Sequence, residues 1–448
     1  MDKKKLIVIG GDAAGMSGAS QVKRLQPAWE VVVFEKTDYI SYAACGMPYF
    51  IEGLIPDKEE LIELTPEVAI KKRKIDLRLR HEVVKIIPQD KKVIVRNEKG
   101  EQEENYDILL IATGSYPQVT GINYQESDRI FMLKNLYDME KIDVFIKKNP
   151  AAKCAVVGGG YIGVEMLEAF KARGLETHLI HRRQDLARTF EIEISDLIKE
   201  KMSQNGVVLN LETSIKQIKE VDGKVVVSTD KGDLEYDFVF LGMGVLPASR
   251  LAAESGIELG VKDSIKVNEY LQTNYRDIYA AGDCVQTVHM LSKEPVYVPL
   301  ALKANKEGML AGMNIAGQKT PFQGVLGTAV TKCFDLGIAR TGLTYEEAKR
   351  LGFDPVKITI NSMSRARYYP GSQNIFSLIV AEKNTGLILG AQLAGPLDGV
   401  KRIDVYATAI HNKMNLDEVF NLDLAYAPPY APVYDPVLLA ARVGRKMV

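Results

Sequence analysis

The sequence predicts an α/β protein made of two copies of a parallel strand–helix–strand module, followed by a C-terminal part of α+β character. Three observations carry that prediction. Leu6-Ile7-Val8-Ile9 is a short, continuously apolar run, as a strand buried on both faces should be. A glycine-rich turn, Gly10-Gly11-Asp12-Ala13-Ala14-Gly15, follows it, then a helix through Gln21 and Arg24 and a second apolar strand, Val31 to Phe34, ending at Glu35. The same order recurs from Cys154-Ala155-Val156-Val157, through Gly158-Gly159-Gly160-Tyr161-Ile162-Gly163 and a helix to Arg173, to a strand over Thr177 to Ile180. The copies start roughly 150 residues apart, which is a duplicated module and not a solenoid repeat.

Between the copies, Tyr106 to Gly114 reads as a buried strand ending in a tight turn, and Tyr236 to Gly244 closes the second module in the same way. Beyond Ile278-Tyr279-Ala280-Ala281-Gly282-Asp283 the pattern predicts a helix over Leu302 to Ile315. From about Gly327 the texture turns to alternating strands, Asn374 to Glu382 and Leu387 to Leu393, with a helix near Arg402 to Lys413.

Length and composition are consistent with this plan. A chain of 448 residues has room for about three domains. Lys and Arg (57) nearly balance Asp and Glu (58), which argues against an acidic or basic tail and against a nucleic-acid groove carried by net charge. With 46% hydrophobic residues, neither disorder nor a collagen-like fibre is tenable. Four cysteines in so long a chain do not make a disulfide framework, so a reducing compartment is expected. No apolar run approaches the roughly 18 residues of a membrane span. The basic start, Met1 to Lys5, precedes an apolar stretch too short for a signal peptide, and the expectation is a cytoplasmic protein.

The glycine turns point to dinucleotides. A turn feeding a helix N-terminus offers free N–H groups and a positive dipole end to a pyrophosphate. Gly158-x-Gly160-x-x-Gly163 is a complete fingerprint, whereas the first copy has Asp12 where the middle glycine usually sits. Glu35, at the tip of the following strand, suits ribose hydroxyls. The matching tip of the second module carries His181-Arg182-Arg183, and basic groups there suit a 2′-phosphate, favouring NADPH over NADH. A structural glycine turn and a solvated charged loop are the plainer alternatives.

Cys45 stands in Ser41-Tyr42-Ala43-Ala44-Cys45-Gly46-Met47-Pro48-Tyr49. Pro48 predicts that a helix begins just after it, and a cysteine at a helix N-terminus has its thiolate stabilised. No second cysteine follows at redox-pair spacing, so oxidation must give a disulfide with a substrate or a sulfenic acid. Cys154, Cys284 and Cys333 read as packing residues. His81, His178, His181, His289 and His411 form no ligand spacing with them, and no metal site is expected.

Taken together, the two fingerprints, Ala112-Thr113-Gly114, Ala280-Ala281-Gly282-Asp283 and a lone redox cysteine resemble the flavin-dependent pyridine nucleotide-disulfide oxidoreductases. Within that family they resemble the single-cysteine branch of coenzyme A-disulfide reductases, NAD(P)H persulfide reductases and NADH oxidases. The resemblance spans essentially the whole chain. It implies a discontinuous FAD-binding domain (1–117 and 246–324), an NAD(P)H-binding domain (118–245) and a C-terminal dimerisation domain (325–448) of a homodimer.

By the same resemblance, Gly10, Gly11, Ala14 and Gly15 hold FAD, Glu35 and Lys36 meet its adenosine end, and Val83, Thr113 and Gly114 lie against it. Asp283 takes the ribityl chain, and Ala301 and Cys45 sit by the flavin ring. Gly158, Gly160, Tyr161, Ile162, Gly163, His181, Arg182 and Gly244 hold NADPH or NADH, with Tyr161 as the flap over the flavin.

The Cys-Gly-Met-Pro-Tyr run and Tyr426-Ala427-Pro428-Pro429-Tyr430 look like the coenzyme A-disulfide and persulfide reductases. There Tyr426, with Tyr368 or Tyr369, would reach the partner subunit's catalytic cysteine and ease departure of a thiolate. Ser17, Gln21, Arg24, Ser41 and Asn305 match coenzyme A contacts, and coenzyme A itself is expected as a mixed disulfide on Cys45. Ala44 and Tyr434 depart from that pattern, standing where an asparagine and a lysine are usual. The sulfur-transferase domain of some relatives is not expected within these residues. The nearest rival is an oxidase reducing oxygen with a cysteine sulfenic acid; a quinone acceptor, a partner redox protein and a redox sensor are the others.

Overall fold

The computed structural model describes residues 3–448. Two five-stranded parallel sheets dominate its first three quarters. In one, Lys5–Ile9 is central between Glu30–Glu35 and Ile108–Ile111, with Asp76–Leu79 and Ile278–Ala280 at the edges. In the other, Lys153–Val157 is central between Glu176–Ile180 and Phe238–Leu241, with Val208–Asn210 and Ile130–Phe131 outside. The central strands are buried on both faces, which is why they read as unbroken apolar runs.

The sheets differ at one edge. The first is completed by Ile278–Ala280, a strand that arrives only after the chain has traversed the second. Outward passage through Ser115–Pro117 and return through Val245–Pro247 pair antiparallel, so the two crossings form one ribbon. An antiparallel three-stranded sheet (Glu82–Ile87, Lys92–Asn97, Gly100–Asn105) sits on the first unit. A four-stranded one (Asn123–Tyr124, Ile215–Val221, Lys224–Thr229, Gly232–Tyr236) sits on the second.

The C-terminal unit is an antiparallel sheet in the order Ala329–Cys333, Leu336–Gly342, Ile388–Gly395, Asn374–Glu382, Pro355–Met363. Helices Ile403–His411 and Pro436–Gly444 cover one face of it through Tyr406, Ile410, Val437 and Ala440. The α/β and α+β expectations hold here, and the helix read over Leu302 to Ile315 spans Ala301–Ile315.

One contact positions the site. Helix Ala13–Leu25 lies against helix Ala301–Ile315 along a seam of Gly18, Gly308 and Gly312. A Cβ on Gly308 would come 2.2 Å from the Ala14 carbonyl oxygen, and one on Gly312 would come 2.7 Å from that of Gly18. Only glycine allows this approach, which brings two helices into backbone contact beside the first sheet. Among the described residues, no helix is long and apolar enough to cross a membrane.

Candidate functional site

Both glycine turns are built alike. Gly10 has φ 104° and Gly158 φ 107°, conformations that favour glycine. A Cβ at Gly15 would fall 1.9 Å from the Gly10 oxygen, and one at Gly163 2.0 Å from the Gly158 oxygen. Each helix therefore packs tightly on its own turn. Gly160 has nothing within 4 Å of its Cβ direction, leaving room for a diphosphate to approach the backbone. Neither helix N-terminus is closed by a side-chain cap, so N–H groups remain free for an anion.

Around the first turn, the Glu35 carboxylate is buried. It accepts from the Gly11 N–H at 2.8 Å and from the Thr37 N–H and hydroxyl at 2.8 Å. Lys36 is exposed beside it, and Val83 is buried at the start of its strand. The Thr113 hydroxyl donates to the Ala248 carbonyl at 2.6 Å, tying the turn at Gly114 to the returning chain. Ser115 donates to Asp283 at 3.3 Å and accepts from Lys134 at 3.1 Å. Asp12 Oδ1 and the Tyr297 hydroxyl are buried without a hydrogen-bond partner among the described residues. Buried polar atoms are rarely left so, and a flavin nucleotide between them would supply partners. These residues fit FAD.

Asp283 is held from behind by a buried pair. Lys303 and Glu307 lie 3.0 Å apart; Glu307 accepts from the Gly282 N–H at 3.0 Å, and Lys303 donates to the Gly282 carbonyl at 2.9 Å. Burial pushes the Glu307 carboxyl up to about 7 against the pull of Lys303. Ala301 is exposed at the N-terminus of the same helix.

Cys45 lies in the short 3₁₀ turn Ala44–Gly46, directly before helix Met47–Glu52 with Pro48 in its first turn. Gly46 packs closely there, since a Cβ would come 2.4 Å from the Leu61 side chain. Cys45 is exposed, whereas Cys154, Cys284 and Cys333 are buried. The expectation of a thiolate stabilised by the helix alone is corrected. Atoms packed around the sulfur push the thiol up, and the carboxylates of Glu165, Asp283 and Asp12 push the same way. A helix of six residues does not outweigh the packing against the sulfur and the three carboxylates near it.

Glu165 and Glu168 come from helix Tyr161–Ala172, whose N-terminus faces the second turn. Thr331 donates to Glu165 at 2.8 Å, and Lys332 pairs with Glu168 while lying 5.4 Å from the centre of the Tyr49 ring. At the head of that helix the Tyr161 hydroxyl is 3.2 Å from Thr189 Oγ1, and its ring packs edge-on to Phe190. Ile162 packs into the core, and Gly244, at φ 101°, accepts from the Gln118 N–H at 2.8 Å.

His181 does not serve as a free cation. Its Nδ1 accepts from the Gly159 N–H at 3.2 Å and its Nε2 faces the Asp185 carbonyl at 3.1 Å. Burial, with Arg182, Arg183 and Arg188 nearby, holds its pKa below the usual histidine value. The ring ties its loop to the glycine turn. Arg182, Arg183 and Arg188 are exposed and have no ion-pair partner among the described residues. Arg188 was missed from sequence because only the fold returns it to the strand tip.

A second polar face lines helix Ala13–Leu25. Ser17 donates to Asn305 at 2.9 Å, Gln21 is bonded to Arg24, and Arg73 donates to Ser20 at 2.6 Å. Ser41, at φ 42°, accepts from the Glu63 N–H at 2.9 Å. Arg73 was also missed, being distant in sequence, as was Lys134.

Tyr368, Tyr369 and Tyr426 are not joined to Cys45 by any hydrogen bond within the chain, among the described residues. They form an exposed group on the C-terminal unit, with Tyr368 77% and Tyr426 48% accessible. Their two loops are joined by an Ala366 N–H to Pro428 carbonyl bond at 3.2 Å. Arg402, paired with Asp435 at 2.7 Å, donates to the Ser364 and Tyr430 carbonyls and pins both.

This chain belongs to the pyridine nucleotide-disulphide oxidoreductase family. The family's sequence model matches residues 4–308, and that of its dimerisation domain matches residues 328–436. FAD and NAD(P)H are the family's cofactors. Among relatives, the chain is 42% identical to an NAD(P)H sulfur oxidoreductase (CoA-dependent) of Pyrococcus abyssi, covering 98% of both. It is 33% identical to a coenzyme A disulfide reductase of Staphylococcus haemolyticus, over 99% of this chain and 100% of the other. Among solved structures, it matches reduced CoADR-RHD of Bacillus anthracis with a TM-score of 0.95 and 34% identity, covering 100% of this chain and 81% of that one.

Proposed function

We propose that the protein is a homodimeric NAD(P)H-dependent reductase of coenzyme A disulfide or of coenzyme A persulfide and polysulfide, working through Cys45 in a reducing, cytoplasmic compartment. The observation that carries this reading is Cys45 itself: an exposed, unpaired thiol beside a flavin-type cradle, in a chain whose other cysteines are buried. The division into 1–117 with 246–324, 118–245 and 325–448 belongs to the same reading.

Bound FAD would relay two electrons from the pyridine nucleotide to a disulfide on Cys45. The chain's own residues do the rest. Gly160 and the open helix end beyond it seat the nucleotide's pyrophosphate, and Arg182, Arg183 and Arg188 favour a 2′-phosphate. Tyr161 yields to the nicotinamide. The Cys45 thiolate attacks the substrate's sulfur–sulfur bond; one thiol leaves, and a mixed disulfide with coenzyme A remains until two electrons release the second thiol. Glu165, Asp283 and Asp12 disfavour a free thiolate, so between turnovers Cys45 rests as the neutral thiol or as that mixed disulfide.

Ser17, Gln21, Arg24, Ser41 and Asn305, with Arg73 added by the fold, offer hydrogen bonds and charge to the phosphates of coenzyme A. Tyr426 and Tyr368, exposed and braced by Arg402, are proposed to cross the dimer and donate a proton to the departing thiolate. The test is anaerobic consumption of NADPH and NADH with coenzyme A disulfide, coenzyme A persulfide or polysulfide, and separately with oxygen. Cys45→Ser should keep flavin and reduction of artificial acceptors yet lose disulfide turnover by at least about a thousandfold. Turnover that survives in this variant, or faster turnover with oxygen than with any sulfur acceptor, would overturn the reading.

A further inference from the structure

Asp12 is the feature the function has not absorbed. It occupies the N-cap of helix Ala13–Leu25, where an aspartate normally accepts a hydrogen bond from the first turn, and it makes none. Its Oδ1 is buried without a partner. The carboxyl therefore stands in the middle position of the pyrophosphate turn without capping the helix, and the Ala13 and Tyr42 backbone N–H groups near it favour its charged form less than burial disfavours it. The titratable groups that face it come from several elements: the charged Lys134 before the helix Leu136–Lys148 and Glu35 at its strand tip, and the neutral Tyr42 phenol and Cys45 thiol on the following segment.

A diphosphate arriving there brings about two negative charges, and an ionised aspartate in a desolvated turn would repel it. A protonated one donates a hydrogen bond instead. We propose that Asp12 binds the cofactor as a neutral acid, its carboxyl O–H donating to a phosphate oxygen of FAD, so that flavin retention takes up one proton. This rests on the FAD reading of the first turn. It agrees with the direction in which burial moves the group, up to about 6 even before an anion is present, against the pull of Lys134.

The test is release of FAD from the holoenzyme on dilution, followed by flavin fluorescence between pH 5.5 and 8.5. In the wild type the dissociation constant should rise about tenfold per pH unit above about 6, as one-proton linkage requires. Asp12→Asn keeps a donor and should flatten the profile, binding FAD more tightly than wild type at pH 8. Asp12→Gly, the residue the fingerprint expects, should also be flat and shows that the turn still folds.

A wild-type profile that is flat or tightens with pH, or an Asp12→Asn enzyme that loses FAD tenfold at every pH, would overturn the proposal, because the carboxylate would then be needed as an acceptor. If no variant holds FAD at any pH, the reading of the first turn fails instead.

Discussion

The two nucleotide turns of this protein share a backbone and differ in what they present. Both have a left-handed glycine after the central strand (Gly10, Gly158) and a glycine one turn into the helix (Gly15, Gly163) that lets helix and turn touch. They part at two places: Asp12 against Gly160 within the turn, and Glu35 against His181 with its arginines at the next strand tip. The scaffold creates an anion site, whereas a few side chains choose the anion. Duplication thus left two sites that can be separated by mutation.

The largest effect should come from breaking the shared part. Gly10→Ala puts a Cβ 2.2 Å from the Ala112 oxygen at a positive φ, and Gly158→Ala puts one 2.5 Å from the Gly242 oxygen. Each costs about 3 kcal/mol or more of local strain. The losses should be separable: the first variant purifies without flavin absorbance, while the second keeps flavin but is no longer reduced by NADPH. Loss of flavin in both would mean that the units do not fold independently enough to be compared.

Next in size is the choice of nucleotide. Arg182→Ala and Arg188→Ala each remove one charge-assisted contact, about 1.5–3 kcal/mol, and should weaken NADPH tenfold to a hundredfold with NADH unchanged. Stopped-flow flavin reduction reads both. Equal losses with NADH would make the arginines structural.

This comparison also explains how much could be read without coordinates. The fold class, the family and its cofactors were legible because buried parallel strands are continuous apolar runs and because the glycine spacing records a backbone constraint. The strand Asn374–Glu382 is recovered to the residue, since a strand buried on both faces from Ser377 to Ala381 reads as a nearly continuous apolar run. The antiparallel sheets on each nucleotide unit were not foreseen, because their exposed strands, such as Gly100–Asn105, carry no apolar pattern. Arg73, Lys134 and Arg188 were missed for another reason: a lone basic residue carries no signal until the fold sets it beside a site. His181 misled, because a histidine at a strand tip looks available until its ring is found bonded to Gly159. Cys45 stood out in the sequence, but the surroundings that raise its thiol did not. The three carboxylates that oppose a thiolate come from different parts of the chain.

The smallest effect is a transplant. Gly160→Asp gives the second turn the side chain of the first, and Gly160 has open space to accept it. If Asp12 works as a neutral acid because its surroundings force it to, the transplanted acid, near open solvent and without the burial of Asp12, should stay ionised at neutral pH. It should then weaken NADPH roughly tenfold at pH 8, the repulsion expected of one charge near a diphosphate at a screened distance. Below about pH 5, as an ordinary aspartate takes up its proton, the loss should shrink toward nothing. Direct binding of 2′,5′-ADP, titrated across that range, measures it without turnover. A pH-independent loss would make the defect one of volume and not charge, and the two turns would then differ in shape as well as in chemistry.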